Sequence, residues 1–430
     1  MFKPTGALWQ NKDFLKIWAG ESISLIGSQV TLFALPLLAV LTFHADPFQV
    51  GLLGTAGYLP YLLVSLFAGV WIDRWHRRPV LVSANVVNAL VLGSIPLAAF
   101  FNLLTIEQLY LVSFLSGTAT VFFQVAYVAY LPSLVKPAHL AEANGKLELS
   151  YSIAVVSGPG LAGVLVQVIS VTSTIFLDVF SFLVSTFNLL RIKTREEPVK
   201  SQRQSGNIWQ EIWVGLSLII KNPLLRALSG STGMTVFFRV AINTQLTLYA
   251  VQELGIEPGV LGAILALGSF GPLVGALVAS RLNKWWGVGT GLIWVKLAGD
   301  AAYLLIPLAF GPPWLIVIIL AFSGFLSNFV VPIYNINVVT IQQTLVPDNL
   351  KGRVSASNRF LSWSTIPLGT LLSGIIGGIV GIRLTLLLFA IGVTFSFLWL
   401  YLSPMRTLKD FDALPPLEED NRQALPAIKE

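Results

Sequence analysis

Long apolar stretches alternate with short polar segments along almost the entire chain. A helix needs about 20 consecutive, mostly apolar residues to cross the hydrocarbon core of a bilayer. Twelve stretches meet this length, so the pattern predicts an all-α membrane protein with twelve transmembrane helices. We predict them at 17–43, 48–72, 79–101, 105–131, 146–170, 172–191, 226–252, 259–281, 288–310, 313–344, 354–381 and 383–402.

The composition supports this class and argues against others. Of the 430 residues, 55% are hydrophobic and 11% are charged, and the absence of cysteine excludes disulfides and thiolate metal sites. The net charge of +6 lies in short loops, so membrane topology explains it better than binding to nucleic acid. No Walker-type phosphate loop occurs, and His44, His76 and His139 fall in separate loops. We therefore expect neither an enzyme nor a bound metal or cofactor.

The basic residues predict an orientation, because cytoplasmic loops of membrane proteins are enriched in Lys and Arg. The loops of the other side contain one base, Arg383. With an even number of spans, both termini lie on the basic side, and we predict a multi-pass protein of the inner (cytoplasmic) membrane with cytoplasmic termini. The bases of that side are Arg74, Arg77, Arg78, Lys136, Arg191, Lys193, Arg281, Lys284, Lys351 and Arg353.

A polar segment near the middle, residues 191–206, is rich in Lys, Arg, Glu, Ser and Gln, and we expect it to be a mobile linker. Apolar residues then recur at helical spacing from Ile208 to Ile219, which predicts either an interfacial helix or an extended start of the seventh span. The predicted domains are a six-helix bundle at 1–191, a cytoplasmic linker at 192–225, a second six-helix bundle at 226–402 and a disordered tail at 403–430.

The two halves carry a weak internal repeat. Pro137 and Leu140, which follow the fourth span, match Pro347 and Leu350, which follow the tenth, at one constant offset. Duplicated halves are typical of secondary transporters that alternate around a central site. The repeat therefore predicts two pseudo-symmetric bundles.

The loop between the second and third spans contains Gly69, Asp73, Arg74, Arg77 and Arg78. Their spacing resembles the signature Gly-x-x-x-Asp-Arg-x-Gly-Arg-Arg of the major facilitator superfamily. We expect Gly69 to let two helices approach closely and Asp73 to meet a helix N-terminus or an arginine. The resemblance implies a latch that holds the cytoplasmic side in the outward-facing state. The alternative is a solvated basic turn that only sets the topology.

In the fifth span, Gly158, Pro159 and Gly163 resemble the Gly-Pro-x-x-Gly-Gly motif of drug antiporters, which implies a kinked helix that seals the exporter against leak. An ordinary small-residue packing face is the alternative. The segments 13–27 and 176–182 resemble the transmembrane-effector and macrolide-efflux branch of the same superfamily. Members of that branch and its relatives export antibiotics, siderophores and other amphipathic metabolites.

Ionisable residues inside spans are costly and are functional candidates by default. Glu21, Asp178 and Asp300 are candidates for carrying a coupling proton, although each has a structural alternative. Lys296 lies one turn before Asp300, so the two predict an ion pair. Arg239 could balance a cavity carboxylate or attract an anionic substrate, and the structural alternatives are a pair with Asp300 or a contact with an external lipid headgroup.

Other side chains could line a central cavity. A mostly apolar pocket with a few polar groups suits an amphipathic compound. The polar candidates are Gln29, Gln124, Tyr127, Asn328, Asn335 and Asn337, and the aromatic ones are Tyr58, Tyr61, Phe122, Phe123, Phe329, Tyr334 and Trp363.

These observations predict a proton-coupled antiporter that exports small amphipathic compounds by alternating access. Its expected partners are the substrate, protons and the lipid bilayer, with no nucleic acid, and we expect a monomer. One alternative is a lipid or lysophospholipid flippase of the same fold. Another is a membrane scaffold or sensor that transports nothing.

Overall fold

The computed structural model describes residues 7–72, 74–194, 196, 208–408 and 410–411. Over these ranges the chain forms helices joined by short turns, and no β-strand occurs in them. The first half contains α1 (Lys12–Phe43), α2 (Pro47–Leu63), α3 (Ser65–Ile72), α4 (Arg77–Phe100), α5 (Ile106–Leu134), α6 (Leu140–Ile169) and α7 (Val171–Leu190). The second half contains α8 (Ile208–Lys221), α9 (Pro223–Leu248), α10 (Pro258–Gly268), α11 (Gly271–Trp286), α12 (Val288–Ala301), α13 (Pro313–Leu345), α14 (Asp348–Val380), α15 (Ile382–Thr394) and α16 (Leu398–Tyr401).

Several predicted spans contain irregular turns. The second span is divided into α2 and α3 at Val64, and the eighth into α10 and α11 by a two-residue turn. The seventh continues beyond α9 as a π-helical turn, Tyr249–Glu253, and the ninth and twelfth contain 3-10 turns at Ala302–Leu305 and Phe395–Phe397. Each predicted span therefore coincides with one helix or with adjoining helices.

Ten of the helical segments in the described ranges are long and apolar enough to cross a membrane, by length and composition. The other two predicted spans are 48–72, where α2 alone has 17 residues, and 226–252, where α9 is richer in polar residues. Large apolar side chains face outward, among them Val128, Val168 and Leu277, each 73–74% exposed. An apolar exterior suits lipid rather than water. The predicted all-α membrane fold is confirmed.

Polar loop residues set where helices begin. The side-chain oxygen of Asn11 accepts hydrogen bonds from two backbone N–H groups in the first turn of α1. Asp46 and Gln49 form a capping box ahead of α2, with Pro47 at the first helical position. The first N–H groups of a helix have no partner within it, so these side chains stabilise the helix starts.

The contacts divide the chain into two compact units. Unit 1 comprises Met1–Gln202, Thr244–Ala266 and Thr370–Ile382, and unit 2 comprises Arg203–Asn243, Leu267–Gly369 and Arg383–Glu430. Besides α1–α7, unit 1 therefore includes most of α10 and the C-terminal parts of α9 and α14. The domain boundaries drawn from the sequence remain a prediction.

In unit 1, α1 packs against α6 and α7, and α4 packs against α5 and α7. A buried apolar cluster contains Phe14, Leu81, Tyr130 and Leu189. These residues come from the starts of α1 and α4 and from the ends of α5 and α7. Four helix termini therefore meet at one end of the unit. Helices that cross a membrane in alternating directions place the starts of some and the ends of others on the same side. We call this end the basic side, because it carries the loop with Arg78.

In unit 2, α13 packs against α11 and α12. The separate helix α8 ends at Lys221, and the side-chain oxygen of Asn222 caps the start of α9. Val214 and Leu218 of α8 belong to the buried core, whereas Trp213 is 62% exposed. The helix α8 is thus not a continuous extension of the seventh span. Its position in a membrane interface stays a prediction.

Candidate functional site

The signature loop joins α3 to α4, and its Asp73 lies outside the described residues. Arg74 is exposed, whereas Arg77 and Arg78 are half-buried at the start of α4. No described atom lies within 4 Å of the place that a Cβ on Gly69 would occupy. The expectation that Gly69 permits a close helix approach is therefore wrong for the described residues, because none of them approaches α3 at this position.

Two charged side chains, one before α4 ends its first turn and one after α7, contact the ends of these helices. The carboxylate of Glu196 accepts hydrogen bonds from the backbone N–H groups of Arg77 at 2.8 Å and Arg78 at 2.6 Å, at the N-terminus of α4. The guanidinium of Arg78 donates to the carbonyls of Leu189 at 3.0 Å and Leu190 at 2.6 Å, at the C-terminus of α7. Each charge complements the partial charge of the helix end that it contacts. We call these contacts the Glu196 clasp.

Asp13, at the start of α1, fastens the same polar segment. Its carboxylate accepts hydrogen bonds from the backbone N–H groups of Lys193 at 3.1 Å and Thr194 at 2.9 Å, and from the Thr194 hydroxyl at 2.7 Å. The Lys16 ammonium donates to the same carboxylate at 2.6 Å. The expectation of a mobile linker is therefore wrong for the first residues of the segment, while residues 197–207 lie outside the described part.

Two glycines of unit 1 bring α6 and α10 into backbone contact. A Cβ on Gly163 would lie 2.9 Å from the Cα of Gly262 and 2.9 Å from the carbonyl oxygen of Pro258. A Cβ on Gly262 would lie 2.6 Å from the carbonyl oxygen of Pro159. Lipid tails are as apolar as the helices, so close packing of small residues is one of the forces that hold membrane helices together. The residues that resemble the antiporter motif thus form a helix crossing.

A second crossing in unit 1 joins α2 to α14. A Cβ on Gly51 would lie 2.6 Å from the Cα of Gly374. One turn further along α2, the hydroxyl oxygens of Thr55 and Thr370 lie 2.9 Å apart in a buried hydrogen bond. Both crossings lie toward the end of unit 1 that is opposite the Glu196 clasp. Glutamine amides add hydrogen bonds at that end: Gln245 to the Pro47 carbonyl at 3.0 Å, Gln252 to the Ala45 carbonyl at 3.3 Å, and Gln167 to the Glu257 carboxylate at 3.2 Å.

Two carboxyls lie within the helices of unit 1. Asp178 is 1% exposed, accepts a hydrogen bond from Ser181 at 2.9 Å and packs directly against Gly27 of α1. Glu21 is half-buried, and one of its carboxyl oxygens is buried without a hydrogen-bond partner in the described structure. The Tyr127 hydroxyl, which interacts electrostatically with Glu21, is also buried and unpartnered. An unsatisfied carboxyl at such a position is costly, which marks Glu21 as a functional candidate.

Tyrosines of α2 and α6 form a group with Gln124 of α5. The rings of Tyr58 and Tyr61 on α2 are 6.2 Å apart, and Gln124 of α5 donates a hydrogen bond to the Tyr61 hydroxyl at 3.3 Å. Tyr151 of α6 interacts electrostatically with both tyrosines.

In unit 2, α12 carries the ion pair that the four-residue spacing predicts. The Lys296 ammonium lies 2.9 Å from the Asp300 carboxylate, and both residues are buried. Lys296 also donates to the Thr235 hydroxyl at 2.6 Å, and Asp300 accepts from the Ser396 hydroxyl at 2.7 Å. Both charges are therefore satisfied by partners within the unit.

Arg239 of α9 has neutral partners. Its guanidinium donates to the side-chain oxygen of Asn328 on α13 at 3.2 Å and lies over the ring of Tyr303, 5.8 Å from the centroid. Asp300 pairs with Lys296 instead, and no carboxylate of the described residues lies within 4 Å of Arg239.

The remaining cavity candidates have different surroundings. Asn337 is fully buried and exchanges hydrogen bonds with Asn283 of α11 at 2.8 and 3.3 Å, so it joins two helices and does not face open space. Asn335 is exposed. Gln29 of α1 is half-buried and covers Gly158 of α6.

The sequence model of the Major Facilitator Superfamily matches residues 17–366. The chain belongs to the Major Facilitator Superfamily.

Among curated proteins of the superfamily, the chain is similar to the multidrug efflux pump Tap of Mycolicibacterium fortuitum. The two are 26% identical over 369 aligned residues, and the alignment covers 84% of this chain and 88% of that protein. The chain is also 25% identical over 276 aligned residues to macrolide efflux protein A of Streptococcus pyogenes. This alignment covers 61% of this chain and 67% of that protein. The resemblance to the macrolide-efflux branch is confirmed by these relatives.

Solved structures agree on the fold. The nucleoside transporter NupG matches with a TM-score of 0.71 at 14% identity, over 90% of this chain and 99% of its own. A bacterial homologue of the iron transporter ferroportin, in an inward-facing state, matches with a TM-score of 0.68 at 16% identity, over 92% and 99%. At such low identity these likenesses show the major facilitator fold and nothing of the substrate.

Sequence reasoning missed three features of this superfamily member. Glu196 was one acid in a polar segment, and nothing in the sequence connects it to the start of α4. Tyr151 was not among the predicted cavity residues. The crossing of α2 with α14 had a signal, because Gly374 and Gly378 are four residues apart, the spacing at which small residues let membrane helices pack closely.

Proposed function

We propose that the chain is a secondary active transporter that exports small amphipathic compounds in exchange for protons. The observation that carries the proposal is the buried carboxyl oxygen of Glu21, which has no hydrogen-bond partner in the described structure. An ionised carboxyl inside a membrane helix is costly, so binding or losing a proton at Glu21 changes the energy of the site. The multidrug and macrolide efflux relatives support export as the direction and amphipathic compounds as the cargo.

Coupling requires that proton and substrate bind two conformations with different affinity. In this proposal the signature loop latches the basic side, and the crossings of α6 with α10 and of α2 with α14 close the opposite side. Each barrier must open when the other closes. The basic loops support cytoplasmic termini in the inner membrane, and the paired halves support a monomer of two six-helix bundles.

The proposal is tested in proteoliposomes with an imposed pH gradient, with ethidium and erythromycin as probes. Glu21→Gln should abolish gradient-driven transport and retain probe binding, because glutamine keeps the shape of the carboxyl and cannot ionise. Glu107→Gln, an exposed change at the start of α5, is the matched control and should transport normally.

Gradient-driven transport at the native rate in both Glu21→Gln and Asp178→Asn would remove these carboxyls from the mechanism. Movement of labelled phospholipid without a pH gradient, with no movement of either probe, would favour the flippase alternative.

A further inference from the structure

The charges in the middle of α9 and α12 do not balance. Arg239 and Lys296 contribute two positive charges, and Asp300 is the carboxylate that pairs with Lys296, at 2.9 Å. The Ser396 hydroxyl donates a hydrogen bond to the same carboxylate oxygen of Asp300 that pairs with Lys296. Among the described residues, Arg239 therefore has no counter-ion. A cation without one is unfavourable inside a bilayer, and such residues usually face a partner or a water-filled path.

The guanidinium of Arg239 has unused hydrogen-bond donors. A guanidinium carries five N–H donors, and the structure engages one of them, with Asn328. Arg239 is half-buried. Some side chains of the described structure have buried atoms without a hydrogen-bond partner, but no nitrogen atom of Arg239 is among these atoms. The free donors therefore face space that water or a ligand can enter.

The position of Arg239 along α9 limits what can reach it. It lies 16 residues after Pro223 and 14 residues before Glu253, where the π-helical turn ends. At the usual rise per residue these separations are about 24 Å and about 21 Å. The hydrocarbon core is about 30 Å thick, so Arg239 lies near its middle, far from lipid headgroups on either surface. An anion that meets Arg239 must travel along the path of the transported compound.

Neutral groups hold the guanidinium in place. The amide nitrogen of Asn328 donates to the carbonyl of Gly324 at 2.9 Å, which turns its oxygen toward Arg239. The buried ring of Tyr303 supports the guanidinium from another side. These contacts orient the cation without neutralising it, so a planar fork of donors remains for a carboxylate, which it can bind with two parallel hydrogen bonds.

The helix that carries Asn328 also carries two aromatic side chains. On α13, Phe325 precedes Asn328 by one turn and Phe329 follows it, and their stacked rings have centroids 6.4 Å apart. Both are half-buried. A cation held by a helix that also carries aromatic side chains suits a compound that is acidic at one end and apolar at the other.

We propose that Arg239 binds an acidic group of the transported compound, so that the substrates include amphipathic carboxylates. This inference names a substrate class for the proposed exporter and rests on that function. Asn328 and Tyr303 act as positioning residues for the guanidinium, and Lys296 stays paired with Asp300.

Binding to purified protein in detergent tests the proposal. The probes are dansyl-undecanoic acid and naphthylacetic acid, each compared with its methyl ester at neutral pH. At least one acid should bind the native protein about tenfold or more tightly than its ester, as expected for a charge-assisted hydrogen bond. Arg239→Gln should remove the preference for the acid and leave the ester affinity unchanged. A role in folding alone would lower thermal stability without changing the ratio of acid to ester.

Asn328→Asp gives an independent test if Arg239→Gln does not fold. It places a carboxylate of nearly the same shape 3.2 Å from the guanidinium, so it should compensate the charge internally and also abolish the acid preference. Asn102→Asp makes the same chemical change in an exposed loop and should preserve it. The proposal is overturned if the native protein prefers neither acid, or if the preference survives in either folded variant.

Lipid is separated from substrate by competition. Phosphatidylglycerol that displaces the acid probe from the native protein would assign the site to a lipid headgroup and overturn the proposal, whereas an unchanged affinity supports it. These measurements need neither a pH gradient nor transport. A failure of proton coupling in proteoliposomes is therefore distinguishable from a failure of anion binding at Arg239.

Discussion

Replacing Gly163 by alanine should push α6 and α10 apart. The added Cβ would lie 2.9 Å from both the Gly262 Cα and the Pro258 carbonyl oxygen, whereas ordinary van der Waals contact begins at 3.4 Å. Both obstacles are backbone atoms, so no side chain can rotate away. The helices must therefore separate by about 0.5 Å, in an interior that is packed too densely to absorb the shift.

The size of the effect follows from the cost of overpacking, about 1–3 kcal/mol. If the crossing exists in one state of the transport cycle and is open in the other, this cost shifts the equilibrium about 5–150-fold toward the open state. Alanine is also favoured over glycine in a helix by up to about 1 kcal/mol. That gain applies to both states and leaves their ratio unchanged.

The chain has no cysteine, so one introduced thiol reports the equilibrium without interference. Leu261→Cys, at a residue 1% exposed and adjacent to Gly262, serves as the reporter. A membrane-impermeant maleimide should label it faster in the Gly163→Ala background, by the factor of the population shift. Gly145→Ala lies on the same helix with no described atom within 4 Å of the new Cβ, and should leave the rate unchanged. Equal labelling rates in the two alanine variants would refute the steric reasoning.

Three further results are expected. A disulfide between Thr55→Cys and Thr370→Cys should stop transport and reduction should restore it, as measured by flux and by loss of free thiols; continued flux in the cross-linked protein would exclude this crossing as a gate. Asp300→Asn should lower stability by about 3–5 kcal/mol, because a buried ammonium loses its counter-ion, whereas Ser396→Ala should cost about 1 kcal/mol; thermal unfolding measures both, and similar values would contradict the pairing. Glu196→Ala should cost about 1–3 kcal/mol, because two N–H groups at the start of α4 lose their acceptor, and Glu196→Gln should recover part of it in the same assay.

Much of the fold was predictable because a bilayer offers the backbone no hydrogen-bond partners. A chain that crosses it must satisfy N–H and C=O groups internally, so long apolar stretches form helices with little ambiguity. Local spacing was informative for the same reason: Lys296 and Asp300 lie one turn apart on a helix whose existence was secure. Polar residues such as Asn11 and Asp46 then mark where two of the helices begin.

Contacts between helices were much less predictable, as the glycines show. Gly69 and Gly163 give the same sequence signal, a small residue inside an apolar span, yet Gly163 contacts Gly262, whereas no described residue approaches α3 at Gly69. Lipid and helix surfaces are equally apolar, so the hydrophobic pattern does not reveal which face meets another helix. The partner of Gly163 lies about one hundred residues away, and only the tertiary arrangement identifies it.

The intramembrane charges show where structure adds to sequence. Each was predicted to be a functional candidate. The structure separates Lys296 and Asp300, which pair with each other, from Glu21 and Arg239, whose carboxyl oxygen and charge are uncompensated by described residues. A structural charge can keep its partner permanently, since it never has to exchange it. A group that must bind and release a proton or an acidic substrate cannot, because a permanent partner would compete with the ligand at every cycle. The lack of compensation at these two positions is therefore what a transport site requires.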